Sequence, residues 1–180
     1  MKMTPHDIRF KATTLLSESK NITADDNDKP VFKLPVDLKT ILNNLGILAG
    51  TDPDLTTKTD AYSFCFEGTR YISVPPTLTE EELYTTVALH IGYHLFYLDP
   101  KKPFKETKYE DMSPAEQLAY LHDEERETSV TRLFARELLI PYGAIGDYST
   151  PGQLADACKV PFEMAAAAYW NYHCDTDFAE

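Results

Sequence analysis

Ala88-Leu89-His90-Ile91-Gly92-Tyr93-His94-Leu95-Phe96 is the stretch on which the reading of this chain turns. Two histidines stand four apart in an apolar run, just over one helical turn, so a helix carries both imidazoles on one face. That is the spacing by which a helix aims two imidazoles at one zinc ion. The residue after the first histidine is Ile91, however, where a hydrolytic zinc site carries its general-base glutamate. The segment is a working metal site, a worn-out one, or a coincidence, and the flanking sequence has to separate the three.

The helix itself is well marked. Thr79 and Glu82 form a capping box, Glu80 and Glu81 suit the positive end of the helix dipole, and Asp99-Pro100 stops the pattern near Tyr97. Upstream, Tyr62 to Glu67 and Arg70 to Val74 read as a β-hairpin about Gly68, closed by Pro75-Pro76. Before that, Leu34 to Ile47 reads as a helix with Pro35 in its first turn, Gly46 as its C-terminal cap, and Val36, Leu38, Ile41, Leu42 and Leu45 as its buried stripe. A first helix spans Thr4 to Lys20, with Ile8, Ala12, Leu15 and Leu16 on one face. Asn21 to Lys29 is expected to be an acidic solvated loop, Thr51 to Thr59 polar turns, and Lys101 to Met112 a charged loop. Ser113-Pro114 opens another helix whose pattern runs to Leu139, with His122-Asp123 as a candidate break. Thr150-Pro151-Gly152 begins a last helical region, in which Leu154, Ala155, Val160, Met164, Ala167 and Trp170 are available for burial. Tyr169-Trp170-Asn171-Tyr172 reads as core or as a partner-facing patch, with core preferred.

The 180 residues suit one domain, or one with a small appendage, and 43% hydrophobic content is ample for a packed core. A formal charge of −12 opposes non-specific binding to nucleic acid or anionic membranes, and it permits a basic protein partner. Cys65, Cys158 and Cys174 show no paired spacing, which points to reduced thiols. No secretory core or membrane-spanning run is evident, so a cytoplasmic location is expected. Neither an isolated serine nor Cys65 sits beside a base pattern, and the scattered glycines make no phosphate loop.

Five segments in one order carry a resemblance: Leu34-Pro35-Val36-Asp37-Leu38 leading to Leu45-Gly46-Ile47; the hairpin ending Ile72-Ser73-Val74; the histidine helix; Phe134-Ala135-Arg136-Glu137-Leu138-Leu139-Ile140-Pro141; and Thr150-Pro151-Gly152-Gln153-Leu154-Ala155-Asp156 leading to Val160. From about residue 34 to 172 the chain resembles the ImmA/IrrE family of zinc metallopeptidases, although Pro161 stands where serine is usual. In that family the helix reads Ala-His-Glu-Leu-Gly-His and an apolar pair follows. The two histidines and a later glutamate hold zinc, and the middle glutamate activates water. Matching the histidines makes His90 and His94 ligands, but it puts the family's Ala and Gly one residue out of step. Matching the framework sets Ala88, Ile91, Gly92, Leu95 and Phe96 on the family's Ala, Leu, Gly and apolar pair. The ligand positions then hold Leu89 and Tyr93, and the base position holds His90. The framework register is preferred, because a one-residue rotation of ~100° would expose the apolar stripe. The family's third ligand, four residues before Phe134, is here Val130, which fits a lost site.

The resemblance therefore implies an α+β, zincin-like domain, mostly helical, with a small β-sheet and a helical C-terminal pair. Its parts are an N-terminal helix and acidic loop at 1–30, a zincin-like domain at 31–148, and a C-terminal helical segment at 149–180 on the same body. It implies a non-catalytic pseudo-metallopeptidase: a protein-binding regulator of a repressor, stress, phage or mobile-element type. No catalytic residue and no metal or other cofactor is expected, and the degenerate positions are Leu89, His90, Tyr93 and Val130. Two alternatives stay open. One is a divergent zinc peptidase using His90, His94 and Glu127, with His122, Asp123 and Glu124 close in sequence. The other is an acidic inhibitor of a basic nucleic-acid-binding protein, with no direct nucleic-acid or membrane contact.

Overall fold

The computed structural model describes residues 3–98 and 113–177, apart from the side chains of 114–126 and 175–177. The charged loop expected at Lys101 to Met112 and the Asp99-Pro100 stop lie outside the described residues, as do the side chains of His122, Asp123 and Glu124.

Helix α1 (Pro5–Glu18) starts where Thr4 accepts from the Asp7 N–H and the Asp7 carboxylate accepts in return from the Thr4 N–H. Its face of Ile8, Ala12, Leu15 and Leu16 is buried. The acidic stretch that follows is not a plain loop. The Asp25 carboxylate accepts from the N–H groups of Asn27 and Lys29, each at 2.8 Å. That turn joins two short antiparallel strands, β1 (Ile22–Ala24) and β2 (Pro30–Phe32). Helix α2 (Leu38–Leu45) begins later than Pro35 suggests, because Asp37 is the cap and accepts from the Thr40 N–H. It ends at Gly46, in the left-handed region with φ 64°.

Gly46 turns the chain directly into β3 (Ile47–Thr51), a strand the sequence did not announce. Only Ile47 of it is buried, so no alternation of polar and apolar residues marks it. Strands β4 (Tyr62–Phe66) and β5 (Thr69–Val74) form the expected hairpin, with Glu67 and Gly68 both at positive φ as a two-residue turn requires. The sheet order is β3-β5-β4, with β3 parallel and β4 antiparallel to the central β5. Ile72 and Val74 face the helices and are buried. The opposite face carries Leu48, Tyr71 and Phe64 in cross-strand register, with the Phe64 and Tyr71 rings stacked at 4.9 Å.

Helix α3 (Glu80–Phe96) lies on the inner face of the sheet, and α4 (Pro114–Leu139) packs along α3. Helix α4 runs unbroken through the candidate break at His122 and Asp123. Closeness of α3 and α4 depends on Gly92, where an added Cβ would meet the Phe134 ring at 3.1 Å and the Thr131 Cα at 3.4 Å. Phe96 and Phe134 then pack edge to face at 5.3 Å. Glu137, buried on α4, takes hydrogen bonds from Arg9 Nε and Arg136 Nη2, both at 2.9 Å, and Arg9 lies over the Tyr142 ring. That network ties α1 to α4. Beyond Pro141, helices α5 (Pro151–Cys158) and α6 (Phe162–Asp177) form the C-terminal pair, and one hydrophobic core joins residues from α1 to α6. Tyr169 is buried, but Trp170 is 60% exposed and Ala167 is exposed, so the aromatic end is split between core and surface.

Gly92 gives a test of this packing. Gly92→Ala gains up to about 1 kcal/mol of helix propensity against a contact that yields by a few tenths of an ångström. Its stability is expected within about 1 kcal/mol of the native chain. Gly92→Val should cost more than about 2 kcal/mol in urea unfolding, because the branch collides with Phe134 and the α4 backbone.

Candidate functional site

Two imidazoles set the rotation of α3 on the sheet. His94 is 1% exposed, and its Nε2 lies 2.9 Å from the Tyr71 carbonyl oxygen of β5. A carbonyl only accepts, so Nε2 carries the proton and Nδ1 is bare. Among the described residues that Nδ1 is buried without a hydrogen-bond partner. One turn earlier, His90 Nδ1 lies 2.7 Å from Ser63 Oγ of β4. The pair thus bridges α3 to two adjacent strands, and Ser63 stands beside Ile72 on the inner face.

Burial holds both rings neutral. It pushes His90 down to about 4, with the neighbouring His94 adding to the effect. His94 is lowered as well, chiefly by burial, with the Tyr71 carbonyl opposing and Arg70 reinforcing the shift. Burial that disfavours the imidazolium makes His90 a weaker general base at neutral pH than an exposed histidine.

On the flank of α3 away from His94 lies a cleft of about 470 Å³, walled by α3, α4, the 3₁₀ turn at Lys58–Asp60 and Pro161. Leu89, His90 and Tyr93 line it, as do Thr85, Thr86 and Glu82 from the same helix. The three positions that the framework register sets in the ligand and base places therefore share one cavity, and His94 does not line it. Among the described residues α4 contributes Thr128 and Arg132, not Glu127 or Val130. Val130 packs against the core, and Glu127 is half-buried one turn before Thr131, whose hydroxyl bonds to its carbonyl. Sequence reasoning missed Ser63, Thr128, Arg132 and Lys58. The i, i+4 spacing of Thr128 and Arg132 was visible, but which face of α4 meets α3 is fixed by Gly92, a tertiary fact.

A zinc site needs three protein donors converging near 2 Å on one point. His94 has half of such an arrangement: its Nε2–H on a carbonyl leaves Nδ1 free, as in many metal-bound histidines. The rest does not follow. His90 commits its Nδ1 to Ser63, and among the described residues no three His, Cys, Asp or Glu side chains are grouped to hold a metal. Among the described residues the donor set does not fit the ion. Also among the described residues, no helix is long and apolar enough to cross a membrane.

No protein-family model and no curated protein matches the sequence. Among solved structures, the fold is similar to a Mycobacterium tuberculosis transcriptional regulator, with a TM-score of 0.56 over 89% of this chain at 17% identity. The chain spans 45% of the length of that structure. At this identity the likeness shows a shared α+β fold alone.

The buried imidazoles make a pH prediction. The unfolded chain protonates His90 near 6.5, while the folded chain resists until about 4. The unfolded state therefore binds more protons inside that window, and stability falls as pH drops through it. The loss reaches about 3 kcal/mol at most for His90, and His94 acts in the same direction. Urea midpoints measured from pH 7 to pH 4 should fall more steeply for the native chain than for His90→Gln. Equal slopes would remove His90 as the cause.

Proposed function

We propose that this chain is a degenerate ImmA/IrrE-like, zincin-type domain that acts as a protein-binding regulator and does not cut peptides. The observation that carries this reading is that both imidazoles serve as links between α3 and the sheet. Leu89 and Tyr93 meanwhile stand on the cleft where the framework register puts the ligands. An imidazole spent on a strand is a structural part, and removing it costs stability before it costs chemistry. The mycobacterial protein of similar fold is a transcriptional regulator, which is compatible with a regulatory role here.

A surface for a partner is available on the outer face of the sheet. Solvated sheet faces usually carry polar residues. This one carries Leu48, Tyr62 and Phe66, which are 57%, 42% and 60% exposed, around the stacked Phe64 and Tyr71. Aromatic residues are enriched in interface centres. With a chain charge of −12, the occupant that fits is a basic protein with an apolar contact patch.

Two measurements test the reading. Native protein dialysed against zinc should retain no stoichiometric metal. Leu89→His/Tyr93→His/Thr128→Glu, which sets three donors on one cleft, should gain it. One zinc per native chain, released by His90→Gln, would overturn the proposal. In pull-down from the source cells, a partner held by the native chain should be lost with Tyr62→Ser/Phe66→Ser and weakened in about 0.5 M salt. A partner retained by that double variant would exclude the sheet face.

A further inference from the structure

The cleft beside α3 differs in character from the rest of this acidic molecule. It holds two cations, Lys58 and Arg132, and one carboxylate, Glu82. Glu82 is already engaged: one oxygen accepts from the Thr79 N–H at 3.1 Å, and the other is 3.8 Å from Lys58 Nζ. Arg132 is exposed and makes no ion pair among the described residues. Thr86, Thr128 and Tyr93 line the same walls, and their hydroxyls make no hydrogen bond among the described residues. His90 completes that wall with one ring nitrogen spent on Ser63. Leu89, Ala61 and Pro161 supply an apolar floor.

A guanidinium and three hydroxyl-bearing residues without partners among the described residues, with a loosely held ammonium, make this cavity rich in donors. Donors in such numbers suit an oxyanion, and charge-assisted bonds from arginine are the strong and geometrically specific ones. The volume of about 470 Å³ lies within the range of small-molecule sites and exceeds what a bare inorganic ion needs. We propose that this cleft binds a small organic anion, its carboxylate or phosphate head held by Arg132 and Lys58 and its apolar body resting on Leu89, Ala61 and Pro161. The donors are present whether or not the domain descends from a peptidase, so the proposal stands apart from the reading above. A net charge of −12 repels anions at long range, so recognition has to come from these local contacts.

Calorimetric titration with four probes tests it: phenyl phosphate and phenylacetate carry head and body, inorganic phosphate the head alone, and benzyl alcohol the body alone. At least one of the first two should bind saturably, at least about tenfold more tightly than either half-probe. Arg132→Gln should weaken that binding about tenfold or more with the circular-dichroism spectrum unchanged, and Arg132→Lys should keep part of it. Thr128→Val should weaken it by a smaller factor. No saturation by either aromatic anion up to about 10 mM overturns the proposal. Equal affinity for inorganic phosphate, or unchanged affinity in Arg132→Gln, overturns it too. None of these readouts involves zinc, so their failure leaves the pseudo-peptidase reading to its own test.

Discussion

The arrangement of this molecule depends on one buried proton, the Nε2–H that His94 gives to the Tyr71 carbonyl. With His94 1% exposed, that bond has no water to replace it, so breaking it leaves a carbonyl and an imidazole both unsatisfied. It fixes how far α3 is turned about its own axis. Each residue advances by ~100°, so placing His94 on the sheet decides the rest in one step. Ile91 goes to the core, Gly92 to α4, and Leu89 and Tyr93 to the cleft. Gly92 then allows α4 to approach, which brings Thr128 and Arg132 opposite Tyr93. The site is a consequence of a rotation, and the rotation is set by a histidine that does not line it.

The elements with strong local signals were legible in the sequence. The capping boxes at Thr4 and Thr79, the hairpin turn at Gly68 and the left-handed Gly46 each announce themselves within a few residues. The elements that failed are those whose stability is not local. Strand β3 is held by a parallel partner more than twenty positions away, and four of its five residues are exposed, so no periodicity reveals it. Trp170 looked like core because tryptophan is commonly buried, yet α6 turns Tyr169 inward and Trp170 outward. At the site, residue identities on α3 indicated which positions share a face. Residue identities on α4 could not, because Val130 was placed by analogy with a ligand, whereas the contact at Gly92 puts Thr128 there instead.

Two surfaces of opposite character follow. The outer face of the sheet is aromatic and open, while the cleft on the helical side is rich in hydrogen-bond donors. The first suits a macromolecule with an apolar patch, the second a small charged molecule. They lie on opposite sides of the β4–β5 hairpin, and Ser63 reaches from that hairpin to His90 in the cleft wall. Residues of one strand therefore serve both surfaces: Ser63 and Cys65 face inward while Tyr62, Phe64 and Phe66 face outward, as the period of two demands.

The sheet of three strands has consequences for the protein in concentrated solution. Among the described residues both β3 and β4 are edge strands, and each carries exposed apolar side chains, Leu48 on one and Tyr62 and Phe66 on the other. Neither strand contains a lysine, an arginine or a proline, the residues that commonly guard such edges. What opposes copy-to-copy strand pairing is then the collective charge of −12, which acts over a Debye length and weakens as salt rises. The colloidal stability of this fold rests on its net charge, which the ionic atmosphere screens, more than on the design of its edges.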